Sequence, residues 1–238
     1  MSPRHRVIIE SRTVKFDRLL KEIKREELIQ LTQDLIRIPS VRRLGSGGSE
    51  KEVALFLSHL LEEMGLDVVV EEVEPGAPNV IGMLQGQKEG PCLMLECHTD
   101  VVTEGDASEW KYGPFEARLS GNRIYGRGAC DTKGNLAAAV QAVKAISQSG
   151  TPFYGKILIG ILVDEEGMMS GVKHFIRQGW AESVNAAIIC EPVDNHLCIT
   201  QKGALRAELM TTGKMSHGAM PLSGLNPIPP MISILEKI

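Results

Sequence analysis

The chain has 238 residues, 43 % hydrophobic and 24 % charged, the balance of a water-soluble globular fold. Thirty acidic against 26 basic side chains give a formal net charge of −4, which removes any electrostatic case for nucleic acid or an anionic membrane as a partner. Apolar runs such as Ile157–Val163 are strand-sized and too short to span a bilayer. The five cysteines form no Cys-x-x-Cys pair and argue against a disulfide framework, so the chain is expected to be cytoplasmic.

Residues 1–16 lack periodicity and read as a loosely held extension. Leu19, Leu20, Ile23, Leu28, Leu31, Leu35 and Ile38 predict a helix over Phe16–Ile38, ended by Pro39. After a glycine-rich loop at 45–48, Ser49 is expected to open a second helix, with Glu52 completing a capping box and Gly65 as the stop. Strands are predicted at Asp67–Val73, Asn79–Leu84 and Leu93–Cys97, with a loop over Thr103–Asn122. An Ala-rich helix at Asn135–Ser147 precedes a strand at Lys156–Val163, a helix near Ser170–Gln178 and a strand at Ala186–Cys190. Strands alternating with helices predict an α/β fold built on a mostly parallel sheet flanked by helices.

Acidic residues and a histidine gather where these strands end. His98 and Asp100 lie two apart and so project to the same side of their strand. Asp131, the pair Glu165 and Glu166, and Glu191 follow other segments. Ligand sites in α/β sheets lie outside the carboxyl ends of the strands. Unpaired carboxylates in one cleft repel each other, and a divalent cation removes that cost; imidazole with carboxylate oxygen suits Zn²⁺. Two metals sharing a bridging carboxylate would account for the number of acids. Of Glu165 and Glu166, one would face a metal and the other accept a proton. Gly126-Arg-Gly128 suggests a dinucleotide loop, but Asp131 would sit where a pyrophosphate needs positive potential. His5, His59, His174 and His196 are expected at the surface or core edge, without acidic partners.

Taken in order, His98-Thr-Asp100, Gly126-Arg-Gly-Ala-Cys-Asp131-Thr-Lys-Gly134, Asp164-Glu-Glu-Gly167 and Cys190-Glu-Pro192 resemble the motifs of the dinuclear-metal M20 peptidases and deacylases. The resemblance implies a zinc-exopeptidase-like catalytic domain followed by the start of an α+β lid domain. The corresponding boundaries are an extension at 1–25, an incomplete catalytic domain at 26–200 and the beginning of the lid at 201–238. By the same resemblance, His98, Asp131 and Glu191 would bind a first metal, and Asp131 would bridge to a second held by Glu166. Asp100 would orient His98, Glu165 would be the general base, and the Asp131–Thr132 peptide would be cis. Thr212-Gly-Lys-Met-Ser-His217-Gly-Ala-Met-Pro221 resembles the lid entry, with His217 a substrate-binding residue, and Asn226-Pro227-Ile228 the start of the first lid helix.

The implied activity is hydrolysis of an amide bond in an N-acyl amino acid, of deacetylase or desuccinylase type, by metal-activated water. A metallo-dipeptidase or carboxypeptidase of the same family, or a non-catalytic remnant that binds one metal or a partner chain, are the alternatives. The implied cofactor is Zn²⁺, two ions per complete site, with Co²⁺ or Mn²⁺ as substitutes. A small N-acyl amino acid or peptide would be the substrate, and a homodimer could form through the lid. The family's final histidine ligand of the second metal has no counterpart here. The sequence is therefore expected to be the N-terminal part of a longer enzyme, holding one metal better than two.

Overall fold

A computed structural model describes residues 17, 19–42, 49–203, 205 and 207–238. The expected 1–16 extension and the glycine-rich loop at 45–48 lie outside the described residues. The chain divides into two compact units, one ending at Asn195 and one spanning His196–Ile238.

The first unit is built from α1 (Arg25–Arg37), α2 (Lys51–Glu63), β1 (Asp67–Glu74), β2 (Ala77–Gln85), β3 (Lys88–His98), β4 (Arg118–Ser120), β5 (Arg123–Tyr125), α3 (Lys133–Gln148), β6 (Tyr154–Leu162), α4 (Ser170–Arg177) and β7 (Ala186–Ile189). Five strands form one sheet in the order β1-β2-β6-β3-β7, and β4 pairs with β5 in a separate hairpin. The sheet is mixed, not mostly parallel as expected. β1–β2 and β2–β6 are antiparallel, whereas β6–β3 and β3–β7 are parallel. With β4–β5, antiparallel pairs outnumber parallel ones among the described residues. The reason lies in the connections. Pro75 and Gly76 alone separate β1 from β2, and a two-residue link can join only antiparallel neighbours. Helical crossovers begin after β3, and the α3 connection then sets β6 parallel beside it.

Alternation along the strands sends side chains to two cores. On one face Ile157, Ile159 and Ile161 of β6 and Cys97 of β3 meet Leu35 of α1, Val53, Leu57 and Leu61 of α2 and Leu136, Val140 and Val143 of α3. On the other, Leu158 and Leu162 of β6 and Cys92 and Met94 of β3 meet Phe175 of α4. Helices thus flank both faces, as expected. Two helix starts differ from expectation. Ile23 and Lys24 are not helical, so the helix predicted over 16–38 is interrupted and α1 begins at Arg25. Ser49 does not cap α2: its hydroxyl donates to the Val41 carbonyl at 2.7 Å, and the helix follows Glu50 without a side-chain cap. Glu50 is fully buried and ion-paired with Arg42, and this tertiary contact replaces the local capping box. Gly65, at φ +82°, does end α2.

In the second unit, Lys214 and Leu225 make an isolated antiparallel bridge, and α5 spans Ile228–Leu235. No helix among the described residues is long and apolar enough to cross a membrane.

Candidate metal centre

The centre forms where β3, β6 and β7 end and α3 begins. His98 is the last residue of β3 and is 1 % exposed. Its Nδ1 lies 2.9 Å from the Asp100 carbonyl and 3.5 Å from an Asp100 carboxylate oxygen, so a proton on Nδ1 has its acceptor. Nε2 then faces the acids: 3.1 Å to Asp131 Oδ1, 3.6 Å to Glu191 Oε1 and 4.0 Å to Glu165 Oε2. A ring nitrogen fixed by a carbonyl, with the other turned outward, is the usual preparation of a metal-binding histidine.

Asp100, fully buried, holds the next segment in place. Its two carboxylate oxygens accept the backbone N–H groups of Glu165 and Glu166, each at 3.0 Å. Burial alone would raise its pKa; the bonds to His98 and to these two N–H groups outweigh it and hold the carboxylate below its ordinary range. The turn after β6 is tied at three further points. Asp164, in the left-handed region at φ 60°, accepts from Met168 N, Ser170 N and Ser170 Oγ and pairs with Arg42 Nε at 3.0 Å. From β2, buried Asn79 accepts from Val163 N at 3.1 Å and donates to the Gly171 carbonyl at 2.9 Å, bracketing the turn. A side chain at Gly171 would overlap the Val163 backbone, so only glycine lets the two ends close.

Asp131 enters from the segment before α3, and the Asp131–Thr132 peptide is cis, as the resemblance implies. Thr132 Oγ1 donates to the Cys190 carbonyl at 2.6 Å, fastening the start of α3 to the end of β7 next to Glu191. Lys133, fully buried, donates to the Leu35 and Ile38 carbonyls at 2.9 and 2.6 Å. Burial pushes its pKa down to about 7.

The electrostatics are those of an acid cluster around one imidazole. Burial lifts Glu191 to about 7, with Asp131, Glu165 and Glu166 adding repulsion against His98, and Glu166 is raised for the same reasons. His98 is driven down by burial but more strongly up by its bonds to Asp100 and Asp131, to about 11. A proton on His98 partly offsets the surrounding negative charge. A divalent ion would do this better, and the donor set fits one. His98, Asp131 and Glu166 offer three ligand atoms within 4.8 Å of one another, as do His98, Glu165 and Glu191. Around tetrahedral Zn²⁺ such atoms sit about 3.3 Å apart, a spacing already close to the His98–Asp131 and His98–Glu191 distances.

The structure thus brings His98, Asp100, Asp131, Glu165, Glu166 and Glu191 together. His217 belongs to the second unit, where it is exposed and its Nδ1 accepts from Ala219 N at 3.2 Å. The sequence reasoning passed over Glu96, buried on β3 two residues before His98 and raised to about 7 by burial. The Glu96-x-His98-x-Asp100 alternation was the available signal. Arg42 and Asn79 carried none, because their partners are distant in sequence; Asp164 stood at the head of a motif, but its bonds to Met168 and Ser170 were not foreseen. His59 and His174, expected without acidic partners, lie 3.3 Å from Glu63 and 3.5 Å from Glu71.

A mixed sheet flanked by helices, with a buried imidazole ringed by carboxylates at its strand ends, defines a candidate metallohydrolase centre. The chain belongs to Peptidase family M20/M25/M40, whose profile matches residues 94–216. It is 34 % identical over 219 residues to the succinyl-diaminopimelate desuccinylase of Methylobacterium nodulans, covering 87 % of this chain and 54 % of that one. The corresponding protein of Gluconacetobacter diazotrophicus is 34 % identical, with 88 % and 55 % covered. The chain spans about half the length of the curated relatives it matches. Among solved structures, a dipeptidase of Saccharomyces cerevisiae is similar at TM-score 0.63 and 19 % identity, over 73 % of this chain and 40 % of that one. An M20 family metallo-carboxypeptidase of Sulfolobus solfataricus is similar at 0.59 and 24 %, over 69 % and 37 %. At these identities the structures establish a shared fold.

Proposed function

We propose that the chain is the catalytic portion of a metal-dependent hydrolase that cleaves an amide bond in an N-acyl amino acid. The observation that carries this reading is the buried His98 imidazole with Asp131, Glu191 and Glu165 all within 4.0 Å of its Nε2. In this reading His98, Asp131 and Glu191 hold one divalent ion, Zn²⁺ or a substitute such as Co²⁺ or Mn²⁺, and Asp131 and Glu166 face a second. When bound, such an ion supplies Lewis-acid polarisation of a carbonyl and makes water more acidic.

The chain's own residues divide the remaining work. Asp100 fixes the His98 ring and, through two backbone N–H groups, the spacing of Glu165 and Glu166. Glu165, about a third exposed, is left to take a proton from attacking water and deliver it to the departing amine. His217, if the second unit is a lid, contributes to holding substrate, and the lid offers a surface for a homodimer. The desuccinylase relatives favour an N-acyl amino acid over a dipeptide. The peptidase structures are more distant and bear on fold alone.

Parallel assays of N-succinyl-diaminopimelate, N-acetylornithine and a dipeptide, with Zn²⁺ or Co²⁺ supplied, test the substrate class. Turnover of an acylated amino acid with none of the dipeptide supports the reading; the reverse order rejects it.

A further inference from the structure

Cys97 and Cys190 each stand immediately before a candidate metal ligand, His98 and Glu191, and they stand beside each other. β3 and β7 are parallel, with Glu96 opposite Ile189, and the Cys190 N–H donates to the Glu96 carbonyl at 2.9 Å. One residue further on, Cys97 and Cys190 are opposite each other, and in-register residues of neighbouring strands point to the same face. Both pack in the core under α1, α2 and α3. Their thiols adjoin each other. The Cys190 S–H reaches the Ile188 carbonyl at 3.8 Å. Neighbouring strands lie about 4.8 Å apart, inside the Cα span of roughly 4.4–6.8 Å that a disulfide bridges. The pairing is specific to these two: Cys92 packs on the opposite face of the sheet, and Cys130 and Cys198 are exposed.

From this juxtaposition we infer that Cys97 and Cys190 are a modification site, a dithiol that closes to a reversible disulfide and so alters the neighbouring ligand pair. Cys97 is 1 % exposed whereas Cys190 is partly open, so an oxidant meets Cys190 first. With a small disulfide such as oxidised glutathione, the Cys190 sulfur attacks one glutathione sulfur, forming a mixed disulfide and releasing one glutathione thiol. The Cys97 sulfur then attacks the Cys190 sulfur, and the second glutathione leaves as a thiol. Two electrons and two protons pass from the chain to the oxidant. The bridge needs the two Cβ atoms about 3.8 Å apart, which the strand spacing allows. Closure therefore locks the ends of β3 and β7 to each other and restricts how His98 and Glu191 adjust around an ion. This consequence, unlike the disulfide itself, rests on the proposed metal centre.

The test compares the reduced, desalted chain with the same chain after oxidised glutathione. Free thiols are blocked under denaturing conditions, the peptides mapped by mass spectrometry, and both forms titrated with Zn²⁺. The expected result is a Cys97–Cys190 cross-link that dithiothreitol reverses, with Zn²⁺ bound about tenfold more weakly in the oxidised form, the size of effect known for groups behind metal ligands. Cys190→Ala should abolish both changes while binding Zn²⁺ as the reduced parent does. Both thiols alkylated after oxidation, or glutathione stranded on Cys190, would overturn the disulfide; a cross-link with unchanged Zn²⁺ affinity would overturn its coupling to the ligands. A reduced chain that fails to bind Zn²⁺ would count against the metal centre, and the peptide map would still decide the disulfide.

Discussion

The two ring nitrogens of His98 have different partners, and that division sets how the centre responds to pH. A metal ion must displace the proton that His98 keeps up to about pH 11 and, below about pH 7, the one on Glu191 as well. Zn²⁺ affinity should therefore rise about tenfold per pH unit above pH 7 and more steeply below it. Calorimetric titrations from pH 5.5 to 8.5 measure that slope; a flat profile would contradict the assignment. The sign for the metal-free fold is opposite. Glu96 and Glu191 are both raised from 4.5 to about 7, so the folded state binds extra protons between those values and loses stability as pH rises through them. Added Zn²⁺ should accordingly raise Tm more at pH 8 than at pH 5.5. Glu165→Gln should bind Zn²⁺ like the parent yet lose turnover by about 10²- to 10⁴-fold, whereas Asp131→Ala or Glu166→Ala should lose metal. Equal metal loss in all three would remove the distinction between Glu165 and Glu166. At this scale the sequence was informative where a local rule applied. His98 and Asp100 follow strand alternation, whereas Glu96, one step earlier in the same alternation, was not singled out.

Among the elements, the turn from Asp164 to Ser170 matters most, because it carries both glutamates on backbone positions fixed from outside. Asn79→Ala would leave Val163 N–H and the Gly171 carbonyl without their partner. The expected loss is about 3 kcal/mol, from two buried groups at 1–3 kcal/mol each, with weaker Zn²⁺ binding as the turn loosens. Asn79→Asp, which keeps the acceptor for Val163 N–H, should recover part of both. Denaturant unfolding and Zn²⁺ titration check this; a fall in stability with unchanged metal affinity would make Asn79 a packing residue and nothing more. Strand and helix positions were largely legible, since their apolar periods are local. Strand direction was missed for β1 and β2. The chain offers no helix between residues 67 and 98, so those strands could not all be joined by the crossovers that parallel pairing requires. Ser49 was misread because its capping pattern is local, whereas the burial of Glu50 beside Arg42 is tertiary.

At the largest scale, β7 is one of the two edge strands of the sheet among the described residues, and Ala186–Ile189 are exposed throughout. Ile188 and Ile189, which alternate between the faces, are 52 % and 53 % exposed. An apolar edge of this kind is a template for pairing with another strand. Ile188→Lys should reduce concentration-dependent light scattering without altering Zn²⁺ binding; unchanged scattering would place self-association elsewhere. The central claim, that His98, Asp131 and Glu191 hold a divalent ion, is met most directly by an anomalous difference map from crystals grown with Zn²⁺. The map should place a peak about 2.0–2.2 Å from His98 Nε2 and from a carboxylate oxygen of Asp131 and of Glu191. Full-occupancy zinc bound elsewhere, with those three side chains uncoordinated, would contradict it.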